Sequence, residues 1–103
     1  MLEVRDSDIH ARGCFATVNI GKGVLLTFPV ILVDKQDLCY LFPWLGNTKS
    51  IVIGPVTFCN SSDMPNLRIK SIDREKLTKT FETLHDINAG DELLLNYMKK
   101  DRI

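Results

Sequence analysis

The sequence predicts a mainly β fold of several short strands with little helix. Three observations carry this. Short runs of β-branched and aromatic residues recur along the whole chain. Gly, Pro and Asn punctuate them at intervals too short for long helices. Only one segment has apolar residues at helical spacing. The connecting segments are long for simple hairpins, and such loops are where binding and catalytic groups tend to sit.

Leu2 to Arg5 reads as a first short strand and Cys14 to Val18 as a second. Val24 to Val33 is a long apolar run rich in β-formers. Between these last two, Asn19-Ile20-Gly21-Lys22-Gly23 reads as a tight turn, with glycine supplying positive φ. From Asp34 to Leu45, the residues Leu38, Leu41, Phe42 and Leu45 recur at spacings of three and four, so a short helical turn is expected, cut by Pro43. Thr48 to Ile53 returns to a strand pattern, which Gly54-Pro55 breaks. Leu67 to Ile72 is read as alternating, with Leu, Ile and Ile on one face against Arg, Lys and Ser on the other. Thr80 to Leu84 and Glu92 to Asn96 complete the strands. One internal echo stands out: Ile20-x-x-Gly23-x-x-Leu26 returns as Ile87-x-x-Gly90-x-x-Leu93. Each copy is expected to form a hairpin of apolar anchor, glycine turn and apolar strand.

A chain of 103 residues is expected to form one domain, residues 1–103. At this length a fold buries about two-thirds of its unfolded surface, so the core is modest. The hydrophobic share of 45% supports a folded globule rather than disorder. Net charge is zero, which gives no charge-based case for nucleic-acid binding. Gly23 to Val33 is too short to span a bilayer, and Glu3, Arg5, Asp6 and Asp8 stand where a signal peptide needs apolar residues. Export and membrane residence are therefore not expected, and an intracellular location, cytoplasmic or nuclear, is. Cys14, Cys39 and Cys59 are odd in number and widely spaced, which suggests buried free thiols rather than a disulfide framework or a zinc site. No metal is expected. His10 and His85 lack companions at ligand spacing, and a Cys59–His85 hydrolase has nothing local to activate its thiol.

Three runs remain. Ile9-His10-Ala11-Arg12-Gly13-Cys14-Phe15-Ala16 opens the chain. Asn60-Ser61-Ser62-Asp63-Met64-Pro65-Asn66 is too rich in loop formers for a strand or helix interior; by itself it reads as an Asx-type loop. Ile87 to Tyr97 carries Gly90-Asp91-Glu92-Leu93 and ends in a tyrosine, by itself an ordinary strand-end residue. In this order and at these distances the three resemble the signature segments of the SET domain family, which transfers a methyl group from S-adenosylmethionine to a protein lysine. The resemblance runs from about Leu2 to Tyr97.

The resemblance implies a SET-like fold of several short curved sheets with a C-terminal pseudoknot. Ala11-Arg12-Gly13 matches a Gly-x-Gly turn that grips the methionine part of the cofactor, with Ala11 as a departure. That alanine implies either negative φ or an altered turn. Asn60 and the backbone of Ser61 match residues that hold the adenine; Ser61 replaces the family's histidine and Asp63 its cysteine. Tyr97 matches the catalytic tyrosine. Tyr40, Phe42 and Leu95 are candidates to line a lysine channel; Tyr40, Phe42 and Trp44 read equally well as a core aromatic cluster. Asp91 and Glu92, adjacent on a strand, face opposite sides and form no acid–base pair. The chain ends soon after Tyr97, so the channel is expected to be completed by another subunit in a homodimer, by the substrate, or not at all. The alternative function is a SET-like module that kept the fold, lost turnover and binds a protein partner; Ala11, Ser61 and the short C-terminus motivate it.

Overall fold

A computed structural model describes residues 1–33, 42–44 and 48–97, with backbone alone at 42 and 43. Among the described residues nine strands form two sheets. β1 (Leu2–Asp6), β2 (Arg12–Ala16), β6 (Asn60–Ser61) and β9 (Glu92–Leu95) make a four-stranded sheet in the order β1-β2-β9-β6. β3 (Leu25–Val33), β4 (Phe42–Pro43), β5 (Lys49–Val52), β7 (Leu67–Asp73) and β8 (Thr78–Thr83) make a five-stranded sheet in the order β4-β5-β3-β8-β7. A 3-10 turn, Pro55–Phe58, follows the Gly54-Pro55 break and was not expected. The fold is mainly β with little helix. The helical turn expected over Asp34 to Leu45 lies largely outside the described residues, as do Tyr40, Cys39 and the Phe42 side chain; the described part of that segment is strand β4.

Two irregularities follow from particular residues. Pro29 lies inside β3, a central strand, although proline cannot donate to a ladder. It sits where β3 changes partners: Leu25 to Pro29 pair with β8, and Val30 to Val33 pair with β5. Its carbonyl still accepts from Ile53 N–H at 2.8 Å. In β7 the alternation slips after Ile69, and the register shifts between Ile69 and Ser71. This bulge at Lys70 returns Ile72 to the face of Leu67 and Ile69, opposite Lys79. Without it, strict alternation would turn Ile72 outward.

The core is built from Cys14, Ala16, Ile20, Val30, Val52, Val56, Cys59, Leu67, Ile69, Phe81, Ile87, Leu93 and Leu95. Phe81 is fully buried, and Phe28 meets it edge-on with ring centroids 5.9 Å apart. Lys79, next to Phe81 on the inner face of β8, is also fully buried, which a charged residue does not announce in sequence.

The two echoed segments do not form hairpins. β2 and β3 lie in different sheets, and so do β8 and β9. The copies instead pair with each other through an antiparallel bridge between Ile20 and Ile87, whose N–H groups donate to each other's carbonyls at 2.8 and 2.7 Å. The surrounding bonds match in pairs. Gly23 N–H donates to Thr83 O, and Gly90 N–H donates to Ala16 O. Lys22 N–H donates to the Asp86 carboxylate, and Ala89 N–H to the Asn19 amide oxygen, both at 2.9 Å. Gly23 and Gly90 take φ of 80° and 93°, where glycine is least strained. The repeated glycine thus steers the chain from one sheet into the other; it does not turn a strand back on itself.

Candidate functional site

β9 is the meeting place. It runs antiparallel to β2, with Cys14 opposite Leu93, and parallel to β6, with Asn60 opposite Leu94 and Ser61 opposite Leu95. Asn60 and Ser61, expected in a loop, are therefore a short strand. The Asn66 side chain extends this ladder. Its amide nitrogen donates to Glu92 O at 2.9 Å and its oxygen accepts from Leu94 N–H at 2.8 Å, as a peptide group would. Three segments far apart in sequence are thereby gathered on one strand.

The Asn60 side chain is mostly buried, with 8% exposure. Its amide nitrogen faces Glu92 Oε2 at 2.8 Å, Ser7 Oγ at 3.1 Å, and the carbonyls of His10 and Arg12 at 3.2 Å. Carbonyls and carboxylates only accept, so the atom turned toward them is the nitrogen. The oxygen makes no hydrogen bond to a described residue. Ser7 Oγ donates to Glu92 at 2.8 Å and accepts from Ile9 N–H at 3.0 Å. Ala11 and the start of β2, Arg12-Gly13, are thus tied to Asn60 and Glu92 by side chains.

Ala11 departs from the expectation of negative φ or an altered turn. It takes φ of 42°, so this alanine adopts the left-handed conformation a glycine would take. Gly13 has a different reason for lacking a side chain. A Cβ there would lie 2.2 Å from Glu92 Oε2 and 3.2 Å from Ser7 Cβ. The close approach at Gly13 is made by the chain's own carboxylate.

Tyr97 follows β9 and is 41% exposed. Its hydroxyl donates to the Cys59 carbonyl, and its N–H donates to Ser61 Oγ at 3.2 Å. Asn60 and Tyr97 thus address the same short stretch, Cys59 to Ser61. Leu95 is 1% exposed and belongs to the core beneath this stretch. Cys59 is buried against Cys14, and both thiols are free. The hydrogen bond to Cys14 and burial push the Cys59 thiol well above the usual value, so it stays protonated. His85, whose ring bonds the Pro65 carbonyl at 3.2 Å, completes no hydrolytic pair with it. Ser7 and Glu92 were not expected in the site. Glu92 was legible only as a strand residue facing away from Asp91, which instead caps the turn by accepting from Asn88 N–H.

Among the described residues no group of three or more His, Cys, Asp or Glu is arranged to hold a metal ion, and no helix is long and apolar enough to cross a membrane. The residues gathered here supply an amide at Asn60, a phenol at Tyr97 and the backbone carbonyls of His10, Arg12 and Cys59. That donor set fits a ligand carrying N–H donors and polarised C–H groups.

The family model described as SET domain matches residues 11–98. Among solved structures the chain is similar to the crystal structure of a Plasmodium falciparum protein provisionally named a histone methyltransferase. The two are 20% identical, with a TM-score of 0.76, over 93% of this chain and 91% of that chain. At that identity the likeness shows the fold. No curated protein matches the sequence.

Proposed function

This chain belongs to the SET domain family, and from that premise we propose that it transfers a methyl group from S-adenosylmethionine to a lysine side chain of a protein. The observation that carries the reading is the convergence on β9. The Ala11–Gly13 segment, Asn60 and Tyr97 come together through bonds made by their own side chains and backbone. Asn60 Oδ1 and the Ser61 backbone would hold the adenine, and the turn at Ala11, Arg12 and Gly13 the methionine part. S-adenosylmethionine, when bound, supplies an electrophilic methyl group on a sulfonium.

The rest falls to this chain's residues. The acceptor lysine must be neutral, and its ordinary pKa is about 10.4, so an apolar channel that desolvates the ammonium favours proton loss. Tyr97 would direct its hydroxyl at the amine, with the Cys59 carbonyl as a fixed acceptor nearby. Alignment is the larger contribution, for which effective molarities supply about 7–11 kcal/mol. Leu95, buried in the core, is proposed as the packed floor of that channel; Tyr40 and Phe42 are proposed for its lining from the family resemblance alone. We take the C-terminal stretch to pass beneath a loop as a pseudoknot, which the parallel contact of β6 with β9 supports. A basic, histone-like protein is the proposed substrate, and an intracellular location follows from it.

Radiolabelled methyl transfer to histones and to a host lysate tests the proposal. Label should enter a protein lysine, and Tyr97→Phe should abolish incorporation while calorimetric affinity for S-adenosylmethionine stays within a few fold. Equal activity of Tyr97→Phe and parent removes Tyr97 from the mechanism. Ala11 and Ser61, which depart from the family pattern, keep a second reading in view: binding of S-adenosylmethionine without incorporation into any protein would assign a SET-like module that serves as a binding domain.

A further inference from the structure

We propose that Glu92 is the positioning residue of this cofactor site, holding the Asn60 amide so that its oxygen alone is presented outward. The inference rests on the reading above that Asn60 meets S-adenosylmethionine. Glu92 touches Asn60, Ser7 and Gly13. One carboxylate accepts from Asn60 Nδ2 at 2.8 Å and from Ser7 Oγ at 2.8 and 2.9 Å, and it fills the space over Gly13. Among the described residues it forms no ion pair, so its bonds are spent on orienting neighbours.

Orientation is what an asparagine needs. A free amide can rotate to present nitrogen or oxygen with little cost, since the two ends differ only in donor character. Here the His10 and Arg12 carbonyls lie at 3.2 Å and the carboxylate at 2.8 Å. The shortest of these bonds is the charge-assisted one, and such bonds are about twice as strong as neutral ones. Glu92 therefore contributes most to keeping the nitrogen inward. The same carboxylate explains Gly13. A methyl group there would displace Glu92 from Asn60 and Ser7, so the glycine serves the carboxylate first and the ligand through it.

The test uses the full chain and S-adenosylmethionine itself. Glu92→Gln keeps size but loses the charge, and it turns one acceptor into a donor facing Ser7 and Asn60. Affinity should fall by about tenfold, the order expected for a lost charge-assisted bond. The Asn60 side-chain amide protons, assigned by NMR through their loss in Asn60→Asp, should shift on the same substitution. Unchanged affinity overturns the proposal, and so does an Asn60 resonance that stays in place. A parent that binds no S-adenosylmethionine sinks the functional reading instead, while the resonance still decides whether Glu92 holds Asn60. A second pair guards against misfolding. Gly13→Ala should lower the melting midpoint more in the parent than beside Glu92→Ala. Equal losses in both backgrounds would overturn the carboxylate as the reason for the glycine.

Discussion

Ala11 takes φ of 42°, a region an L-residue enters against its own Cβ at a cost of about 1–2 kcal/mol. The loop tolerates this because the neighbouring carbonyls of His10 and Arg12 are claimed by Asn60, and Ala11 O accepts from Ser7 N–H at 2.9 Å. Ala11→Gly removes the strain but loosens the unfolded chain by about 0.4–1 kcal/mol. A net gain of up to about 1.6 kcal/mol is expected, read as a melting midpoint several degrees higher; a midpoint that falls would show that the alanine is not strained in solution. Asn60, Gly13 and Tyr97 were legible through their motifs. Those motifs did not show which atom of Asn60 is engaged, nor that a carboxylate excludes a side chain at Gly13. Those facts depend on residues 32 and 79 positions away along the chain, and no local pattern encodes them.

Between elements, the outer face of β7 and β8 carries Arg68 and Lys70 around Glu82. The Arg68 bond lowers the Glu82 carboxyl below its ordinary 4.5. A carboxyl that titrates lower when folded adds stability above its unfolded value and loses it as pH falls through the folded one. Glu82→Gln should therefore flatten the acid limb of the stability curve below about pH 5 and leave its alkaline limb unchanged. A parent and variant with parallel acid limbs would refute the linkage. Screening keeps the effect small at high salt. Strand existence was legible here from alternation, and strand boundaries nearly so. The bulge at Lys70 and the partner change at Pro29 were visible only as lapses in the pattern, since bulge and pairing are properties of two strands.

Across the molecule, the candidate site exists only while β9 lies between β2 and β6. A ligand that bridges the Ala11–Gly13 segment and the Asn60–Ser61 strand binds the folded state alone, so S-adenosylmethionine at a hundred times its Kd should add about 2.7 kcal/mol. For a domain of this length the melting midpoint should rise by roughly 10 °C or more; no shift at saturating concentration would detach the cofactor from this site. Composition and periodicity by themselves determined a mainly β chain with loops rich in Asn, Gly and Pro, because side-chain shape and alternation act within a few residues. Motif order determined the family. The tertiary structure alone decided that the repeated Ile-x-x-Gly segments pair with each other, and that Ser7 and Glu92 bind the three motifs together. The physical reason is range: burial preferences are carried by each residue, whereas a bridge or a shared carboxylate is fixed only when distant segments pack and must satisfy one another's polar groups.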